Sequence, residues 1–295
     1  MIKLLVLISF LSSSVTSDTF GSVEIFRCKD NYNKRYADII VLFECHTDYY
    51  RKRISLKSVG QRIIGGEDAV IEEYPFAVSL QNNVTIFGHN VLHFCGGSII
   101  SDTWIITSAQ CALRQDHINV REFHIRAGST YYYKDGTIYN VEKIVVHPAF
   151  NYQNYDFDVG LVKLKRKIVF DELKQPIKLS EKDQIIKNGT EITIVGWGAT
   201  RNLGPYSENL KKTNLQKISN EECMLAYGYQ VTNRMFCIIA NNHKPCVGDS
   251  GAPAIINNTL IGVASWSEAC GFSYPTAYTN LSYMIDWIKE ETAIS

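Results

Sequence analysis

The chain has 295 residues, in which 30 Lys and Arg balance 30 Asp and Glu, 45% of residues are hydrophobic, and eight are cysteines. That length and apolar content suffice for a sizeable buried core, and a net charge of zero gives no electrostatic footprint for nucleic acid or an anionic membrane. Low-complexity runs, internal repeats and C-x-x-C pairs are absent, so no metal and no cofactor are expected.

Residues 1–17 carry one lysine, an apolar run from Leu4 to Leu11, and a small polar end at Val15-Thr16-Ser17. They read as a secretory signal peptide, too short for a membrane span, and no later run reaches the roughly 18 apolar residues a span needs. Export makes the cysteines disulfide partners rather than metal ligands. Residues 18–62 differ from the rest of the chain: they are rich in tyrosine and charge, contain Arg51-Lys52-Arg53, and hold Cys28 and Cys45, which are expected to pair. This stretch reads as a propeptide. From residue 63 to 295, short runs rich in Val, Ile, Thr and Tyr alternate with Gly, Asn, Asp and Ser turns. Strands are expected at 76–81, 93–101, 103–109, 122–127, 139–146, 159–164, 191–197, 252–256 and 260–266. Near the end, Met284, Ile285, Trp287 and Ile288 share one helical face.

The organising stretch is Cys246-Val247-Gly248-Asp249-Ser250-Gly251-Ala252-Pro253. It resembles the nucleophile loop of the chymotrypsin/trypsin-like serine proteases, and Arg62-Ile63-Ile64-Gly65-Gly66 resembles the family's activation site. The resemblance covers residues 63–295 and implies an all-β fold of two six-stranded antiparallel β-barrels with a C-terminal helix. It further implies that a trypsin-like protease cuts after Arg62 and that the new Ile63 ammonium pairs with Asp249. The backbone N–H groups of Gly248 and Ser250 would form the oxyanion hole. Disulfides Cys95–Cys111, Cys223–Cys237 and Cys246–Cys270 follow from the same matching.

The triad acid falls on Asp158, rather than Asp156, in Asp158-Val159-Gly160-Leu161, and the nucleophile on Ser250. The base position, fixed by Trp104-Ile105-Ile106-Thr107-Ser108-Ala109-Gln110-Cys111, holds glutamine. An amide has no basic nitrogen near neutral pH, so the proton shuttle from Ser250 is missing. The specificity pocket differs too: Lys244 stands where an aspartate binds Arg or Lys substrates, and Ser267 and Thr276 replace wall glycines. On these grounds the chain is expected not to be an enzyme but an inactive homologue, similar to the scabies mite inactivated serine protease paralogues and the mite group 3 trypsin-like allergens.

That likeness implies a protein of the gut lumen that binds host proteins, complement components among them, and blocks host defence. Alternatives are a residual or altered-specificity serine endopeptidase, with Lys244 favouring acidic side chains, and a non-catalytic cofactor in a proteolytic cascade. A glycosaminoglycan-binding homologue would be strongly basic, whereas residues 63–295 carry 20 Lys and Arg against 24 Asp and Glu. Asn83, Asn188, Asn257 and Asn280 begin N-x-Ser/Thr sequons and are candidate glycosylation sites.

Overall fold

Alternation of apolar and polar side chains gives each strand one face to bury, and in the computed structural model those faces close into two antiparallel barrels. The structure describes residues 16–20, 23–27, 66–82, 92–113, 123–199, 206–227, 231–239, 249–267 and 275–294. The chain divides into two units, Met1–Gly60 and Gln61–Ser295. In the first, β1 (Thr16–Phe20) and β2 (Val23–Arg27) form an antiparallel hairpin with Thr16 opposite Arg27. Residue 62 and the Cys28–Cys45 pair lie outside the described residues.

The second unit begins with a short strand, β3 (Glu67–Asp68), and then forms the first barrel. Its strands are β4 (Ala77–Asn82), β5 (Leu92–Ile99), β6 (Trp104–Thr107), β7 (Phe123–Ala127), β8 (Thr137–Val146) and β9 (Gly160–Leu164). They close in the order β4-β5-β6-β9-β8-β7. Leu80, Ile99, Ile105, Ile125 and Val162 fill the interior and are buried.

The second barrel follows β10 (Lys178–Leu179) and uses β11 (Glu191–Gly196), β12 (Lys211–Ile218), β13 (Met235–Ile239), β14 (Pro253–Ile256), β15 (Thr259–Trp266) and β16 (Thr276–Asn280). Its order is β15-β14-β11-β12-β13-β16, closed by pairing of β15 with β16, while β10 and β3 add at the outside. Ile192, Ile194, Phe236, Ile261 and Tyr278 form its core. The β14–β15 hairpin turns through Asn257 and Asn258, at φ of 48° and 57°. Asparagine tolerates that left-handed conformation, and two such residues match the twist of a tight hairpin.

Among the described residues, three short α-helices complete the unit: α1 (Ala109–Leu113), α2 (Asn220–Tyr227) and α3 (Ile285–Thr292). Helix α3 buries Ile285 and Ile288, and its Trp287 ring lies 4.8 Å from that of His147 at the end of β8. The C-terminal helix therefore rests on the first barrel. The expected strand over 103–109 ends at Thr107, because Ala109 onward turns into α1.

A second tie lies in the β8–β9 connection. Asp156 accepts from Arg234 Nε at 2.9 Å and Nη2 at 2.5 Å, and from Thr232 Oγ1 at 2.9 Å, both residues lying just before β13. The guanidinium also stands 4.6 Å above the Phe157 ring. Burial pushes the Asp156 carboxyl up, but the bonds from Arg234 and Thr232 outweigh it and leave it below the usual range. Arg234→Met should lower the unfolding free energy by about 2–3 kcal/mol, less than for a fully buried pair because the arginine is one-third exposed. A depressed carboxylate stabilises the fold above its unfolded pKa and loses that contribution as pH falls through the folded value. The gap between wild type and variant should therefore close below about pH 4. Urea denaturation at two pH values measures it, and identical midpoints at neutral pH would show that the pair contributes nothing.

Candidate functional site

The site grows from one buried carboxylate. Asp158 sits two residues before β9 and is fully buried, so each of its oxygens needs donors. Oδ1 accepts the Gln110 backbone N–H at 2.9 Å, and Oδ2 accepts the Gln110 side-chain Nε2 at 2.8 Å. Ser265 Oγ on β15 donates to Oδ2 at 2.5 Å, and Thr279 Oγ1 on β16 donates to the Asp158 carbonyl at 2.7 Å. Burial lifts the Asp158 carboxyl above its ordinary value; the bonds from Ser265, Gln110 and the Ala109 backbone act the other way and do not cancel it. Among the described residues, no cation is bonded to it.

Gln110 lies on α1, whose position is fixed by the Cys95–Cys111 disulfide to β5. Besides Asp158, its Nε2 donates to the Ser265 carbonyl at 2.6 Å. Both amide hydrogens are thereby spent, and only the carbonyl Oε1 remains for a further partner. That oxygen can accept a hydrogen bond from a hydroxyl but cannot take its proton.

Ser250 reaches the same place through its backbone. Its carbonyl accepts the Gly96 N–H at 2.9 Å, Gly251 N–H donates to the Ala264 carbonyl at 2.7 Å, and Ala252 N–H to the Asp249 carbonyl at 2.8 Å. Gly251 has φ of +77°, and a side chain there would collide with Thr107 Oγ1 and the Gly96 carbonyl. This close packing sets the serine loop against the β6–α1 turn. Consecutive residues of β15, Ala264 and Ser265, therefore hold the serine loop and Gln110. Asp249 Oδ1 accepts the Gly198 N–H at 2.9 Å.

Some of the expected site residues lie outside the described ones: Arg62, Ile63, Lys244, Gly248, Asn83 and the Cys246–Cys270 pair. Of the pocket walls, Ser267 is exposed after β15, and Thr276 is buried at the start of β16 opposite Ile238. Cys223 and Cys237 are bonded between α2 and β13. Asn188 and Asn257 are exposed, but Asn280 is buried and its Oδ1 accepts from Ser282 N and Oγ at 3.2 and 2.9 Å. That side-chain oxygen caps the turn before α3.

The sequence did not reveal Ser265 or Thr279, since a Ser or Thr in a strand carries no mark of bonding to a carboxylate. The buried partner of His93 was equally silent: its Nδ1 lies 2.7 Å from Ser79 Oγ on β4. Among the described residues, no cluster of His, Cys, Asp and Glu could hold a metal, and no helix is long and apolar enough to cross a membrane.

Residues 63–288 match the family model described as Trypsin. The chain is 36% identical to a trypsin of Phaedon cochleariae over 79% of its own length and 89% of the relative's. It is 35% identical to trypsin 5G1 of Aedes aegypti, covering 81% and 88%. With the vitellin-degrading protease of Bombyx mori the identity is 31%, covering 79% and 87%. These relatives overturn the expectation that the chain is not an enzyme: proteins of this similarity carry the names of trypsins and a protease. The physical reason is that Gln110 changes one group among several. Ser250 and Asp158 remain.

Replacing Gln110 by His would set an imidazole against Asp158, and its cationic form should pull that carboxyl down. A raised carboxyl binds its proton more tightly in the folded state. The wild type should therefore lose stability as pH rises from 3.8 through the folded value, and Gln110→His should lose less. Titration of the Asp158 carboxyl carbon by NMR in both proteins checks this. A lower value in the wild type than in the variant would contradict it.

Proposed function

The chain belongs to the trypsin family, and from that premise we propose that it is a slow serine endopeptidase of altered specificity that acts on its protein ligands largely by holding them. The observation that carries the proposal is the Gln110 amide, bonded at 2.8 Å to Asp158 and at 2.6 Å to the Ser265 carbonyl where a proton acceptor is needed. A positioned general base contributes about 10²–10⁴ to rate, and what an oxyanion site and substrate binding supply does not depend on it. Slow acyl transfer lengthens the life of the bound complex, so a poor peptidase is also an effective trap. Lys244 would draw an acidic rather than a basic side chain into the pocket.

Several finer parts belong to this proposal. The Ile63-Ile64-Gly65-Gly66-Glu67-Asp68-Ala69 start and the altered triad support a likeness to the mite paralogues. With the apolar leader, they support an exported protein, activated after Arg62, whose ligands are host defence proteins, complement among them.

The test is hydrolysis of chromogenic peptides bearing Glu or Arg at the cleaved position, after processing at Arg62. The wild type should cleave the Glu peptide slowly, Ser250→Ala should abolish that cleavage, and Gln110→His should raise it by at least about 10²-fold. Hydrolysis that survives Ser250→Ala, or a preference for the Arg peptide, would overturn the proposal.

A further inference from the structure

The outside of the first barrel carries a strip of positive charge that the fold does not need. On β9, Val162 and Leu164 point inward, which leaves Lys163 and the following Lys165 on the outer face. The Lys165 N–H donates to the Asn140 carbonyl at 2.9 Å and so continues the ladder beyond the strand. On β8, the register places Lys143 directly opposite Lys163. Arg166 follows, its Nη2 donating to the Ile138 carbonyl at 2.8 Å and its guanidinium 4.9 Å over the Tyr139 ring. Lys167 completes the strip.

Two acids partly offset these five cations: Glu142 bonds Lys163 at 2.8 Å, and Asp102 bonds Lys167 at 2.7 Å. Among the described residues, Lys143, Lys165 and Arg166 form no ion pair. Like charges facing each other across an antiparallel pair destabilise it. A Lys/Arg-rich run of this length reads as a patch for a polyanion. The overall neutrality of the chain hides it, because the balancing acids lie elsewhere.

Apolar side chains lie beside the cations. Val169 and Phe170, just after Lys167, are 77% and 40% exposed, and Ile138, whose carbonyl holds Arg166, is 36% exposed. Exposed apolar groups next to unpaired cations call for a partner that brings both kinds of group. We propose that this strip, from Ile138 and Lys143 across Lys165 and Arg166 to Val169 and Phe170, docks an extended acidic segment of a partner protein with apolar side chains among its carboxylates. The carboxylates would lie along Lys143, Lys165 and Arg166, and the apolar groups would cover Phe170 and Val169. A sulfated polysaccharide would engage the cations but leave both apolar side chains in water. The surface is separate from the cleft residues and serves whether or not Ser250 turns over.

The test uses the whole recombinant chain and fluorescent synthetic peptides. One alternates Glu with Leu and Phe, one alternates Glu with Gly, and heparin serves as the polysaccharide probe. The Glu/Leu/Phe peptide should bind, and binding should weaken from low to physiological salt. A combined Lys165→Glu and Arg166→Glu variant should weaken it at least about tenfold, and Val169→Ser with Phe170→Ser by about fivefold. A Lys165→Gln and Arg166→Gln variant, with unchanged thermal melting, controls for folding and should show an intermediate loss. Failure of that peptide to bind, or equal binding by the charge-reversed chain, would overturn the proposal. So would a Glu/Gly peptide that binds as well, or heparin binding that is unaffected by the two serines while the peptide does not bind.

Discussion

Everything near the cleft depends on satisfying one carboxylate that is buried without a counter-charge. An ionised group in a dry site is costly unless hydrogen bonds replace its water, and Asp158 has donors from Gln110, Ser265 and the Ala109 backbone. Those donors come from α1 and β15, while Thr279 on β16 holds the same residue by its carbonyl. The requirement therefore locks one helix of the first barrel to two strands of the second. Shape at the cleft is a by-product of solvating Asp158.

This explains how glutamine can occupy a position that suits a base. Its Nε2 gives Asp158 the hydrogen bond that an imidazole N–H would give, so geometry persists while proton affinity does not. Structure and chemistry separate at a single side chain. The amide also adds no positive charge, so burial remains the leading influence on Asp158 and keeps its carboxyl high.

Strands rich in β-branched and aliphatic residues between turn residues were legible in the sequence, β4, β8, β9 and β11 among them. β12 was not, since Lys211-Lys212-Thr213-Asn214-Leu215-Gln216-Lys217-Ile218 buries only Leu215 and reads as a polar linker. β16 buries all of Thr276 to Asn280, and its hydroxyls and amide conceal that a core strand lies there. Of the site, Gln110, Asp158 and Ser250 were visible because short motifs surround them. Ser265 and Arg234 were not, because each matters only through a partner more than 70 positions away. The expectation of inactivity failed for another reason: it let a few altered positions, Gln110, Lys244, Ser267 and Thr276, outweigh a whole chain whose relatives are named as trypsins.

The bonds that position Ser250 have a hereditary consequence. They run from Gly96 N–H to Ser250 O, from Gly251 N–H to Ala264 O, and from Ala252 N–H to Asp249 O, all between main-chain atoms. Residue 110 takes no part in them, so mutation there leaves the serine loop in its shape. Glutamine and histidine codons differ only in their third base, which places the imidazole a single nucleotide change away. A lineage carrying this fold keeps that return route for as long as residues 96 and 251 stay glycine. A side chain at Gly96 would press on Ala252, and one at Gly251 on Thr107, and either would close the route by displacing the loop itself.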